Sequence, residues 1–237
     1  MKRVFSYSME ISCLWMGNYA MIQSPFAPAS GVDERNHGRR CLMALDRIIN
    51  LIILVGTLFC YALCFRKDGR WSVRTGMKHL KFFTNLSNLF SAFAAFCVLL
   101  TLCETGLPYW VWILKYTAAV SVVITFLTVM VFLGPTLGYK YQLEGMGIFV
   151  HVIGPLLALY SFCFLENFYS LPFGTSLIGL IPLFLYGMLY LRMVVIRKEW
   201  DDFYGFNKGG KWKLSFAVMV IAGILVGVLF WALYRLP

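Results

Sequence analysis

The sequence predicts an all-α polytopic membrane protein, a bundle of six transmembrane helices. Hydrophobic residues make up 60% of its 237 residues and charged residues only 14%, which is outside the range of ordinary soluble domains. Long uncharged apolar runs also follow one another with short connections, each close to the ~20 residues that cross a bilayer core. These runs cover residues 48–65, 82–103, 109–133, 147–165, 172–196 and 214–234.

The chain in front of the first run shows no clean periodicity. We therefore expect residues 1–42 to form a poorly ordered N-terminal extension and residues 43–237 to form the membrane domain. The extension resembles a signal peptide only weakly, because Glu10, Gly17 and Asn18 interrupt its apolar stretch. Met43 stands directly before the first run, so a start at Met43 is an alternative explanation of the extension.

Basic residues gather in alternate loops. The first and fifth loops, 66–81 and 197–213, are rich in Lys and Arg and the third contains Lys140, whereas the second and fourth contain neither. The positive-inside rule then predicts a cell-membrane protein with the first, third and fifth loops in the cytoplasm and both termini outside. The net charge of +10 is explained by orientation and lipid headgroups, and we expect no nucleic-acid partner. The opposing charges precede the first run: Arg35, Arg39, Arg40 and Arg47.

The second run begins with a polar stripe. Its members recur at i, i+3, i+4 and i+7 and therefore share one helical face. Such groups are common in helix packing within membranes, but polar side chains at membrane depth also mark functional sites. The stripe consists of Thr84, Ser87, Asn88 and Ser91.

The third run carries a hydroxyl-bearing face and one lysine. Lys115 lies among aromatic residues, so we expect its ammonium group to snorkel within an aromatic belt. The hydroxyl-bearing face is formed by Thr117, Ser121, Thr125 and Thr128.

The fourth run contains the only histidine of any apolar run, His151, and no run has an Asp or Glu in its middle. His151 shares a face with small residues, which predicts that it points into the bundle. Thr84 and His151 each lie a few residues into a run that begins on the same side, so they are within about one helical turn in depth. A hydroxyl and an imidazole at one depth suit a nucleophile activated by a general base. The alternative is a histidine satisfied by its surroundings, without chemistry.

The last two runs add no catalytic motif. Gly223 and Gly227 predict a close helix contact. The seven cysteines lack the spacing of zinc ligands, and we expect neither a metal nor another cofactor. Prolines inside the runs are also found in transporters, but the sequence shows no inverted repeat and no intramembrane carboxylate.

Two motifs carry a resemblance to a known family. Lys81-Phe82-Phe83-Thr84, continued by Asn-Leu-Ser-Asn, and His151 with Pro155 four residues later resemble the androgen-induced and androgen-dependent six-span membrane hydrolases and their bacterial relatives. The resemblance implies a nucleophilic Thr84, an essential His151, and hydrolysis of fatty-acid esters of hydroxy fatty acids. The chain departs from the family in its long N-terminal extension, in its third loop, and in lacking a second histidine shortly before His151.

The expected reaction follows from these residues. His151 takes the proton of the Thr84 hydroxyl as it attacks an ester, and Asn85, Asn88 or a backbone N–H stabilises the oxyanion. Ser87 is an alternative nucleophile. The expected partners are membrane lipids and a lipid-ester substrate, and the alternatives are a lipid acyltransferase or a non-enzymatic lipid-binding or transport protein. Three loop acids lie on the same side as His151, but none is assigned to orient it: Glu144, Asp201 and Asp202.

Overall fold

The structure is a computed structural model that describes residues 29–67, 69–103 and 105–236. Eight helices account for most of this part of the chain, and a hairpin of two-residue strands, β1 (Arg66–Lys67) and β2 (Arg70–Trp71), joins the first two. A single turn, Lys208–Gly210, precedes the last helix. The helices are α1 (Ala29–Leu63), α2 (Val73–His79), α3 (Phe83–Thr101), α4 (Tyr109–Leu137), α5 (Tyr139–Leu143), α6 (Phe149–Leu165), α7 (Phe173–Ile196) and α8 (Trp212–Leu233).

Five of these helices are long and apolar enough to cross a membrane, which confirms the predicted class of a multi-pass helical membrane protein. They are α1 from Gly38 onwards, α3, α4, α7 and α8. The fourth predicted span, 147–165, corresponds to the apolar helix α6, whose 17 residues make it shorter than these five. Among the five, α4 is the most buried and forms the centre of the bundle.

The first helix begins earlier than the sequence predicted. It starts at Ala29, so residues 29–42, which we assigned to a poorly ordered extension, are helical. Periodicity missed this part because residues 38–42 are exposed and form no apolar face. Strong helix formers such as Glu, Arg, Ala and Leu nevertheless favour a helix there. The prediction for residues 1–28 lies outside the described residues.

Aromatic rings join three helices at the centre. Tyr116 of α4 packs on Phe162 of α6 and Phe230 of α8, with ring centroids 5.2 and 5.7 Å apart. All three side chains are fully buried. Because large aromatic rings bury much apolar area, this contact fixes α6 and α8 against α4.

The predicted glycine contact of α8 is confirmed. A Cβ atom at Gly227 would lie 3.1 Å from the carbonyl oxygen of Ser176, and one at Gly223 would meet Leu180. The absent side chains let α8 approach the backbone of α7.

Helix α6 departs from α-helical geometry at both ends. Phe149–Ile153 and Ser161–Leu165 are π-helical turns, and Gly154–Tyr160 between them is α-helical. Pro155 explains the first turn, because proline has no N–H to continue the α-helical pattern. Single π turns occur often at functional sites.

The two ends of the bundle differ in the charge of their loops. The end that we call the basic end carries residues 64–67, 69–82, 138–148 and 197–211. The end that we call the opposite end carries residues 102–103, 105–108 and 166–172. The beginnings of α3 and α6 lie at the basic end, and the beginning of α4 lies at the opposite end.

Candidate functional site

Thr84 is the second residue of α3, at the basic end. Phe82 provides no side-chain cap for this helix, and the backbone N–H of Phe83 instead donates to the hydroxyl of Tyr204 at 3.1 Å. The same phenol lies within hydrogen-bonding reach of the Thr84 hydroxyl. The Thr84 side chain therefore faces a tyrosine that comes from the fifth loop.

The sequence interpretation missed Tyr204. Its loop is held against the bundle by Asp202, which accepts hydrogen bonds from the backbone of Phe206 and Asn207, both at 2.7 Å, and from the hydroxyl of Tyr190 at 3.0 Å. Burial raises the pKa of Tyr204, so its phenol stays protonated at neutral pH. Four aromatic residues among the seven at 200–206 were the available indication that this loop folds inward.

His151 lies in the first π turn of α6. Its Nδ1 atom is buried and has no hydrogen-bond partner among the described residues. Within the same part of the chain, no hydrogen bond joins Thr84 to His151. The small-residue face predicted with His151 is buried at Gly154, Ala158 and Ser161.

Asn88 joins the two helices that carry the predicted pair. Its amide nitrogen donates to the carbonyl of Thr84 at 2.8 Å and to the carbonyl of Val150 at 3.1 Å. Gly154 lies beside Asn88, since a Cβ atom at Gly154 would be 3.6 Å from the amide oxygen of Asn88, an ordinary van der Waals distance. Both N–H groups of Asn88 are thus engaged, and in this arrangement neither is free for an oxyanion.

The other polar residues of α3 have separate contacts. The Ser87 hydroxyl lies 2.9 Å from that of Thr125 on α4, which is the helix packing expected of such a stripe. Asn85 donates to the carbonyl of His79 at 2.9 Å and has a second N–H that could serve an oxyanion. Ser91 is buried.

A cavity of about 190 Å³ lies beside these residues. Asn85 and Asn88 of α3 line it together with Gly147, which precedes α6, and Val150 of α6, and α1 contributes residues such as Tyr61. Neither Thr84 nor His151 is part of its wall. Small-molecule pockets are typically ~300–1,000 Å³, so the cavity fits part of a lipid.

The loop acids on this side do not orient His151. Glu144 and Asp201 are exposed, and Asp202 is used in its own loop. No described carboxylate hydrogen-bonds the imidazole.

A second polar cluster, which the sequence interpretation did not predict, lies near the opposite end. Lys115 is fully buried, 3.4 Å from Glu166 Oε1, and it also donates to the side-chain oxygen of Asn50. The Ser161 hydroxyl lies 2.8 Å from Asp46 Oδ1 and 2.6 Å from Glu166 Oε1. The expectation that Lys115 snorkels is therefore wrong, because an internal carboxylate pairs with it. Asp46 and Glu166 lie just outside the predicted runs 48–65 and 147–165, so the search for an Asp or Glu in the middle of a run did not find them.

Comparison of the chain with protein-family models, with curated proteins and with solved structures yields no match. The resemblance to the androgen-induced and androgen-dependent hydrolases therefore rests on the motifs around Thr84 and His151 and stays a prediction.

Proposed function

We propose that the chain is an intramembrane lipid-ester hydrolase in which Thr84 is the nucleophile and His151 is the general base. One observation carries this proposal: the Nδ1 atom of His151 is buried and has no hydrogen-bond partner among the described residues. In the same π turn, the carbonyl of Val150 accepts a hydrogen bond from Asn88 at the polar start of α3. A buried polar atom that makes no hydrogen bond costs free energy. Such a cost is common where a side chain is kept available for chemistry.

The reaction has two steps. The Thr84 hydroxyl oxygen attacks the ester carbonyl while His151 takes the hydroxyl proton, and the alcohol then leaves with that proton. An acyl-threonine remains. Water then gives a proton to His151 and attacks the acyl group, and His151 returns that proton to the Thr84 oxygen as the fatty acid leaves. Asn85 and the protonated Tyr204 are the donors best suited to the oxyanion, since both N–H groups of Asn88 are engaged.

The proposal includes six crossings of the cell membrane, with the basic end in the cytoplasm. Helix α6 supports the sixth crossing, because it contacts Asn88 near its beginning and Asp46 near its end. At 1.5 Å per residue, its 17 residues span about 26 Å, close to the ~30 Å hydrocarbon core. Fatty-acid esters of hydroxy fatty acids are the substrate class that the family resemblance favours.

Lipid transport is the second candidate. Asp46 and Glu166 are buried beside Lys115, and ionisable groups within a membrane bundle often serve transport. Acyl transfer to an acceptor other than water uses the same Thr84 and His151 and differs only in the second step.

Hydrolysis of a panel of lipid esters by the purified full-length chain tests the proposal. Thr84→Ala and His151→Ala should each lower the rate by about 10³-fold or more, and the double variant should be scarcely slower, because members of one catalytic unit are not additive. Thr84→Ser keeps the hydroxyl and should retain measurable activity.

Thr128→Ala is the matched control, because this threonine donates only to its own helix, to Ile124 at 2.8 Å. It should leave the rate unchanged. Full ester hydrolysis by Thr84→Ala would contradict the proposed nucleophile, and absence of hydrolysis with every ester would favour transport.

A further inference from the structure

In the polar cluster near the opposite end, one serine hydroxyl lies between two carboxyl groups. Ser161 Oγ lies within hydrogen-bond distance of Asp46 Oδ1, at 2.8 Å, and of Glu166 Oε1, at 2.6 Å. A serine hydroxyl has one hydrogen, and an ionised carboxylate only accepts. Both contacts are hydrogen bonds only if one of the two carboxyl groups is protonated and donates to the hydroxyl.

The net charge of the cluster also indicates one bound proton. Asp46 is 2% exposed, and Glu166 and Lys115 are 0% exposed. If all three were ionised, the cluster would carry one excess negative charge inside a membrane bundle, where an uncompensated charge is strongly unfavourable. One added proton makes the cluster neutral.

The neighbouring groups do not supply this missing charge. Asn50 is neutral, and its amide nitrogen lies 3.0 Å from Asp46 Oδ1 and 3.3 Å from Glu166 Oε1. Arg47, on the same helix, is exposed and donates to the carbonyl of Leu102. Arg39 and Arg40 of α1 and Arg235 after α8 are exposed as well. The following cysteines and tyrosines of the packed elements are uncharged at neutral pH: Cys97 on α3, Tyr116 on α4, Cys163 on α6, Tyr169 after α6 and Tyr234 after α8.

Each of the two carboxyl groups also has one oxygen that receives no hydrogen bond from the described residues. Asp46 Oδ2 and Glu166 Oε2 are buried and have no hydrogen-bond partner among the described residues. A buried carboxylate oxygen without a donor is costly, and protonation removes part of that cost. Three observations of the cluster therefore favour a bound proton: the two free oxygens, the two short contacts to one hydroxyl and the excess negative charge.

We propose that this cluster is a proton-binding site, in which Asp46 and Glu166 hold one exchangeable proton between them through Ser161. Lys115 balances the charge of the carboxyl group that remains ionised. The proton leaves as H⁺ to water and returns in the same way, so no other reactant is needed. This inference is independent of the hydrolase proposal, because none of these residues belongs to the site at Thr84.

A surface cavity lies next to the segment that follows Glu166 and offers a route for exchange with water. The backbone carbonyl of Glu166 accepts from Trp112 at 3.0 Å and from Tyr234 at 3.4 Å. The next residues along the chain, 167–172, line a surface cavity of about 480 Å³ together with Tyr234 and Arg235. Bulk water at the opposite end therefore reaches the segment that directly follows Glu166.

Infrared spectroscopy of the full-length chain in lipid nanodiscs tests the site, because a protonated carboxyl group has a C=O stretch distinct from that of a carboxylate. At neutral pH the wild type should show this band, and the band should shift in D₂O. Asp46→Asn and Glu166→Gln should each abolish it, since the single remaining carboxylate is then neutralised by Lys115. Glu199→Gln, which changes a half-exposed loop acid paired with Arg197, is the control and should leave the band unchanged.

Ser161→Ala provides a second test that does not change the charge. The proton should remain, but the band should move, because the protonated carboxyl group loses the hydroxyl that accepts from it. Absence of the band in folded wild-type protein would overturn the proposal. So would its survival in Asp46→Asn or in Glu166→Gln, or an unmoved band in Ser161→Ala.

Discussion

At the scale of single residues, Asn88 shows how a side chain of one helix can pair a backbone carbonyl that another helix leaves without a donor. Gly154 N–H bonds to the carbonyl of Phe149 in the π turn, and the same i−5 pattern would pair the carbonyl of Val150 with Pro155. Proline has no N–H, so that carbonyl needs another donor. Asn88 supplies it from α3.

Asn88→Leu keeps the approximate volume of the side chain and removes both hydrogen bonds. We expect it to lower the free energy of unfolding by about 1–2 kcal/mol, because the Val150 carbonyl is left unpaired in an apolar interior. Asn85→Leu, which loses one bond near the end of α2, should cost less than about 1 kcal/mol. Unfolding in a denaturing detergent measures both, and equal losses would contradict this role of Asn88.

Residue types and spacing identified Thr84 and His151 as candidates and predicted a polar stripe that faces the bundle, because helical periodicity depends only on local sequence. Tyr204 could not be placed from the sequence, since its contact with Phe83 joins residues 121 positions apart. The same limit explains the error at Lys115. Snorkelling is the expected behaviour of a lysine without a buried partner, and its partner Glu166 lies just after a different helix.

At the scale of helices, α6 is the element that decides how many times the chain crosses the membrane. Hydropathy located the apolar part of every long helix, because burial in lipid requires a continuous apolar run. It did not locate the beginning of α1, where exposed residues continue the helix, or the π turns of α6, where backbone geometry depends on Pro155 and on contacts with α1 and α3.

Cysteine labelling on either side of α6 tests its crossing. Lys140 and Ser170 are exposed, and each is changed to Cys in a chain whose native cysteines are replaced. An impermeant thiol reagent should label Ser170→Cys in intact cells and should reach Lys140→Cys only after permeabilisation.

Two further positions are matched controls for this experiment. Lys208→Cys, in the fifth loop, should behave like Lys140→Cys, and Thr105→Cys, in the second loop, should behave like Ser170→Cys. Labelling of Lys140→Cys and Ser170→Cys from the same side would show that α6 does not cross the membrane. Reversed labelling of all four would keep the crossing and invert the orientation.

At the scale of the whole molecule, the two polar sites occupy different ends of one bundle. Thr125 of α4 contacts Ser87 beside the candidate catalytic site, whereas Lys115 of the same helix belongs to the proton-binding cluster. These two residues are ten positions apart, which is about 15 Å along a helix. The apolar core that includes Tyr116 and Phe162 fills part of the region between them, so variants in one site can be tested without changing the other.

The central claim is that Thr84 forms a covalent acyl intermediate, and mapping an adduct tests it most directly. The full-length chain is treated with a fluorophosphonate probe, which reacts with activated hydroxyl nucleophiles, and the modified peptide is sequenced by mass spectrometry. We expect one adduct, on Thr84, which is lost in Thr84→Ala and strongly reduced in His151→Ala because the hydroxyl then has no base. An adduct on Ser87 that persists in Thr84→Ala, or none in a chain that hydrolyses lipid esters, would contradict the claim.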